Sequence, residues 1–93
     1  MSNNENEKLL SLASWILISS YRKRIMIALG NKLKTPSTLS RESGVRMNHI
    51  SKVLKELKNN DLVICINEDM HKGRLYQTTE LGKKVMQKVK NIE

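Results

Sequence analysis

The first strong pattern along the chain is a segment whose apolar positions would cover nearly every face of a helix. Residues 6–18 carry Leu9, Leu10, Leu12, Ala13, Trp15, Ile16, Leu17 and Ile18, too wide a set for the single stripe of a surface helix. Such a helix needs burial on two sides. In a chain of 93 residues the second side is most simply a partner subunit. Ser19-Ser20 interrupts the pattern and supplies an N-cap for a second helix over 21–30, with Ile25, Ala28 and Leu29 inward and Arg22, Lys23 and Lys32 outward. Gly30-Asn31 ends it.

Thr35-Pro36 starts a third helix, with Thr35 as N-cap and Pro36 at the first helical position, where a missing N–H costs nothing. This helix is short, because Gly44 suits a turn of positive φ and Val45 then presents one apolar side chain inward. A fourth helix is predicted from about 47 to 60, with Ile50, Val53, Leu54 and Leu57 on one buried face. After Asn60-Asp61 the period changes. Leu62-Val63-Ile64-Cys65-Ile66 has strand length and β-branching, 67–73 is polar with a glycine, and Arg74-Leu75-Tyr76-Gln77-Thr78 reads as the returning strand. Thr79 caps a last helix whose Leu81, Val85, Val89 and Ile92 share a stripe. The order is α-α-α-α-β-β-α, mainly α with a small β-hairpin. One domain over 7–92 is expected, preceded by a flexible segment over 1–6.

Between Pro36 and Leu54 the pattern is that of a helix-turn-helix. Small Ser40 lies where the helices touch, Gly44 is in the turn, and Leu39, Val45, Ile50, Val53 and Leu54 hold one helix on the other. Ser43 departs from it, being polar where an apolar residue is commoner. The following hairpin makes the whole a winged helix-turn-helix. Charge sharpens this picture. The chain carries +8, and residues 21–60 alone hold ten basic residues against Glu42 and Glu56, a net +8. The remainder sums to zero, so the excess belongs to the segment containing the helix-turn-helix.

Several stretches carry a family resemblance: Tyr21-Arg22-Lys23-Arg24-Ile25, Lys34-Thr35-Pro36-Ser37, the segment from His49 to Leu57, Leu62-Val63, and above all Lys72-Gly73-Arg74-Leu75-Tyr76-Gln77-Thr78-Thr79-Glu80-Leu81-Gly82. Over roughly residues 9–90 the chain resembles the small winged-helix transcriptional regulators of archaea, in the broad ArsR/MarR-like group. That resemblance implies a homodimer that binds operator DNA, with a recognition helix in the major groove and a wing on the backbone or minor groove; the single cysteine, Cys65, independently fits a reducing, cytoplasmic setting. The cysteine-bearing metal motif of the arsenic-sensing branch is missing here.

The residues themselves identify a DNA-facing surface. With Ile50, Val53, Leu54 and Leu57 inward, helical geometry puts Asn48, Lys52, Lys55 and Asn59 outward, with His49 and Ser51 flanking. Lys52 and Lys55 suit phosphate or guanine, Asn48 suits adenine, and Arg46 reaches guanine or backbone from just before the helix. Lys52 could instead pair with Glu56 at i,i+4, though Lys before Glu is the weaker orientation. In the wing, about 67–74, Lys72 and Arg74 flank Gly73, opposed by Glu68 and Asp69. Thr35 and Ser37 lie at a helix N-terminus that favours a phosphate, and Tyr76 is assigned to packing on the sheet. For the dimer, Leu9, Leu12, Ala13 and Ile16 of the first helix are expected to pack with Leu81, Val85, Val89 and Ile92 of the last.

Other chemistry finds little footing. Cys65 sits among aliphatics and reads as a buried small hydrophobe. His49 and His71 lie on separate elements without ligands at metal spacing, and no nucleophile with a base or Gly-rich phosphate loop occurs, so neither an enzyme nor a cofactor is expected. The longest apolar stretch, Trp15 to Ile18, falls far short of the roughly 18 residues of a membrane span. The expected partners are double-stranded DNA and a second copy. The competing reading is a protein-interaction or architectural winged-helix module without a specific operator. Such a module should expose aromatic or aliphatic anchors on the fourth helix, where this chain has Asn48, Lys52, Lys55 and Asn59.

Overall fold

A computed structural model describes residues 2–93. The elements are α1 (Ser2–Leu17), α2 (Ser20–Leu29), α3 (Pro36–Ser43), α4 (Met47–Asn59), β1 (Val63–Cys65), β2 (Tyr76–Thr78) and α5 (Glu80–Ile92). The structure is therefore mainly helical with a two-stranded antiparallel hairpin, in the order expected.

Each boundary has a local cause. Ser19 is extended at φ −125° and its hydroxyl accepts from the Arg22 N–H, which caps α2. Thr35 does the same for α3 through the Thr38 N–H, with Pro36 in the first turn. Gly44 ends α3 at φ 74°, a left-handed conformation that favours glycine. Thr79 caps α5 by accepting from the Gly82 N–H at 2.9 Å, and its hydroxyl donates to the Asp61 carbonyl at 2.6 Å. That second bond ties the start of α5 to the turn before β1.

One core unites all the helices and the hairpin. Ile16, Ile25, Leu29, Leu39, Ile50, Leu57, Leu62 and Val85 are fully enclosed, with Ala13, Val45, Leu54, Val63 and Val89 beside them. In the hairpin Val63 faces Thr78, Ile64 faces Gln77 and Cys65 faces Tyr76. Tyr76 also exchanges backbone hydrogen bonds with Lys34, at 3.1 and 2.9 Å, so the segment between α2 and α3 forms a third, single-residue rung on the other side of β2. That rung locks the base of the hairpin to the start of α3.

Four sequence-based expectations change. The strands, Val63–Cys65 and Tyr76–Thr78, are shorter than 62–66 and 74–78, although Ile66 still donates to the Leu75 carbonyl at 3.0 Å. Cys65 is half-buried instead of enclosed, its Sγ 3.5 Å from the Asn67 Oδ1, and Ile64 points outward, as the period of two demands on a sheet covered on one face. The first helix starts at Ser2, not after a flexible segment over 1–6; Glu5 pairs with Lys84 at 3.3 Å and Asn6 accepts from Lys88 at 2.8 Å. Residue 1 lies outside the described residues.

The largest correction concerns the dimer seam. Ala13, Ile16, Val85 and Val89 are buried inside a single chain, and Leu9, Leu12 and Leu81 are partly buried against the same core. Only Ile92, 49% exposed, stands clear. The contact between α1 and α5 is thus intramolecular. The stripes were correctly identified as apolar and complementary, but each covers the other within one subunit.

Candidate nucleic-acid interface

The α4 helix lies with Ile50, Val53, Leu54 and Leu57 on the core, and this leaves Asn48, Ser51, Lys52, Lys55 and Asn59 exposed along its outer side. Its position is held from behind. Arg22 of α2 stacks its guanidinium 3.9 Å from the Trp15 ring centroid, donates to the Trp15 carbonyl at 2.9 Å, and donates through Nε to Glu56 at 3.2 Å. Glu56 is the one carboxylate on α4, and this bridge draws it to the inner flank. The alternative pairing with Lys52 does not form, so Lys52 keeps an unneutralised ammonium in solvent.

At the start of α4, Arg46 occupies the N-cap position in an extended conformation with no side-chain capping bond, and it is exposed. His49 is half-buried because its ring meets Tyr21 of α2 at 4.9 Å between centroids. Tyr21 has no spacing relation to His49 in the sequence and was not singled out with it. Arg24, 5.8 Å from the Tyr21 ring, donates through Nε to the Ser43 carbonyl at 3.0 Å, pinning the turn between α3 and α4 to α2.

The hairpin loop forms the other wall. Asn67 organises it: its amide donates to the Gly73 carbonyl at 3.2 Å and its Oδ1 accepts from the Leu75 N–H at 2.8 Å. Arg74 donates through Nε to the Met70 carbonyl at 2.6 Å and through a terminal nitrogen to the Glu68 carbonyl at 2.9 Å. Its guanidinium thus closes the loop on itself, and the expected outward pair of cations reduces to Lys72 alone. Glu68 pairs with Lys58 of α4, so a loop acid and a helix cation cancel across the gap.

Between these walls runs an open groove of about 730 Å³. It brings together Ser37, Ser51 and Lys55 with Lys72 and Arg74, and adds His71, which is not among the expected DNA contacts. Thr35 also lines the groove, but its hydroxyl is committed to the Thr38 N–H and hydroxyl. Tyr76 packs at the groove's base and pairs only through its backbone. Asn48, Lys52, His49 and Arg46 lie outside the groove, toward the first turns of α4. The site residues therefore form two adjoining zones of one face.

The electrostatics of that face follow from where the acids went. Six carboxylates pair with cations: Glu5, Glu42, Glu56, Glu68, Glu80 and Glu93. Among the described residues, Arg46, Lys52, Lys55 and Lys72 have no carboxylate within ion-pair distance and all four are exposed. Behind the face, a hydrogen bond from Lys34 holds the Glu42 carboxyl below its ordinary value, with neighbouring positive charges adding to the effect. Among the described residues no group of three or more His, Cys, Asp or Glu is placed to hold a metal ion, and no helix is long and apolar enough to cross a membrane.

No family model, curated protein or solved structure matches this chain. The functional reading consequently rests on the geometry of the face.

Proposed function

We propose that the chain is a winged helix-turn-helix domain that binds double-stranded DNA and regulates transcription, with two copies on a pseudo-palindromic site. In this reading α4 is the recognition helix, its outer side in the major groove, whose width admits an α-helix. The hairpin loop is the wing, and the groove between it and α4 takes one sugar-phosphate strand. Asn48 and Lys52 read base edges; Arg46, Lys55 and Lys72 contact phosphates, with Ser37 and Ser51 as neutral donors.

The observation that carries the reading is the separation of charge. Arg46, Lys52 and Lys55 at or on α4 and Lys72 of the loop are exposed without carboxylate partners among the described residues, with Asp69 the unpaired acid of the loop, while the one acid of α4 is held by Arg22. An interaction module would present apolar anchors, and Met47 is the one large apolar side chain exposed on α4.

The test is binding to a random pool of duplexes across a range of salt. The reading expects recovery of a two-fold-related sequence and a log-log salt slope of about 0.9 per phosphate contacted. Arg46→Ala with Lys52→Ala should reduce both affinity and slope. Binding unchanged by that double substitution defeats the assignment of α4, and tight binding without enrichment favours the architectural alternative.

A further inference from the structure

Between α2 and α5 lies a second groove, open along its length and about 670 Å³ in volume, which has no described residue in common with the groove beside α4. At one end Lys23 of α2 pairs with Glu93 at the close of α5. At the other the Thr78 hydroxyl, just before α5, donates to the Gly30 carbonyl, just after α2, at 3.0 Å. These ties set the two helices antiparallel along the groove. Its floor is apolar: Met26 and Val89 are nearly enclosed, Met86 is half-buried, and Ile27 stands 60% exposed on the α2 wall. Its rim on the α5 side is basic. Lys83 and Lys90 are exposed and stand at i and i+7, on one side of the helix and about 10 Å apart. We propose that this groove docks a short amphipathic helix of another protein, its apolar stripe on the methionine floor and its acidic residues, two turns apart, against Lys83 and Lys90.

Charge selects an acidic partner. Among the described residues Lys90 has no carboxylate within ion-pair distance. Lys83 meets only the exposed Glu80 at 3.3 Å, a surface pair of little strength that a partner's acid can replace. Glu93 is the one acid among the described lining residues, and it is committed to Lys23. Shape selects a helix. A small ligand is ordinarily enclosed over about 70–90% of its surface, which a groove open along its length does not achieve. An amphipathic helix needs cover on one face only and keeps the other in water. The unbranched, polarisable side chains of Met26 and Met86 adapt to an apolar stripe of varied shape. Duplex DNA would meet the two lysines but gain nothing from Met26, Ile27 and Met86. Two to three turns of helix make a contact smaller than the roughly 800 Å² per partner of a standard interface. The complex is therefore weak and exchanges rapidly.

The docking groove stands whether or not α4 binds DNA. Its probe is a hydrocarbon-stapled peptide of about three turns, with leucines along one face and two glutamates two turns apart on the flank. Titrated into the full chain, labelled at methionine methyls and backbone amides, it should produce saturable shifts at the Met26 and Met86 methyls and the Ile27 and Lys90 amides, with those of α4 unmoved. Ile27→Asp should weaken binding at least about tenfold, since it sets a charge against the apolar stripe. Lys90→Glu should weaken it about threefold, in keeping with an exposed ion pair. A peptide with lysines in place of the glutamates should reverse that order and prefer Lys90→Glu to wild type. Ile27 and Lys90 are exposed, so both variants keep the fold, which circular dichroism checks. Absence of saturable shifts at Met26 and Met86, equal binding of a scrambled peptide, or indifference to Lys90→Glu overturns the proposal. So do methyl shifts that grow with protein concentration alone, which assign the groove to a second copy, and shifts produced by decanoate but not by the peptide, which assign it to a small amphiphile. Duplex DNA that moves the Lys83 and Lys90 amides overturns it as well.

Discussion

Individual cations on the proposed DNA face have different duties, and Arg74 illustrates how to tell them apart. Sequence position puts it beside Lys72 on the loop, yet its guanidinium is spent on the Met70 and Glu68 carbonyls. A phosphate contact contributes about 0.9 to the salt slope, whereas a residue that only shapes the loop contributes nothing to it. Arg74→Ala is therefore expected to weaken DNA binding with an unchanged slope and to speed amide exchange at Met70 and Leu75. Lys72→Ala is expected to lower the slope by about one and leave exchange unaltered. Equal slope losses for the two variants would return Arg74 to direct contact. For Asn48, exposed on the first turn of α4, replacement by Ala should relax preference at one or two base pairs at a cost of about 1–3 kcal/mol each, read from competition between single-base variants of the selected site.

The elements are joined by a few backbone approaches that no periodicity announces. Gly82, in the first turn of α5, is the closest of these: a Cβ there would run into the Leu62 carbonyl oxygen and lie 2.6 Å from the Thr78 methyl. Alanine would otherwise favour the helix by about 1 kcal/mol, but the obstacle is backbone and cannot move aside. Gly82→Ala should therefore destabilise by about 1–3 kcal/mol on overpacking grounds, measurable as a fall in Tm of several degrees. The Lys34 rung is a second such approach, and its side chain adds a pH dependence. Glu42 titrates below its ordinary value because Lys34 donates to it. A carboxyl lowered on folding contributes stability above its unfolded pKa and loses it as pH falls through the folded one. The stability difference between wild type and Glu42→Gln should accordingly shrink on acidification below the usual glutamate range, as denaturant melts at several pH values would show. Helix starts were legible in the sequence because capping is local: Ser19, Thr35 and Thr79 each act within three residues. The Lys34 rung, the Gly82 contact and the Tyr21–His49 stack were not, since each depends on chain segments brought together by the fold.

At the scale of the whole molecule, sequence reading failed in one instructive way. An amphipathic stripe says that a side chain is buried but not whose chain buries it, and the complementary stripes of α1 and α5 satisfied each other. The chain is elongated, 41 × 25 × 19 Å. Its two shorter dimensions fall below the roughly 34 Å that separates successive major-groove faces, so in the proposed reading two copies fit side by side on one face of a duplex when either of these runs along it. If the two copies of the proposed reading touch each other on the duplex, they have little freedom to rotate about the DNA axis. Cooperativity should then depend on helical phase. Inserting five base pairs between the half-sites turns the second groove to the far side of the duplex, about half a turn of the 10–10.5 base-pair repeat. Two-step gel-shift titrations are expected to show cooperative binding to the selected site, loss of cooperativity with the half-turn insertion, and unchanged affinity for the first copy. If cooperativity survives the insertion, the two copies are not coupled through a rigid protein contact.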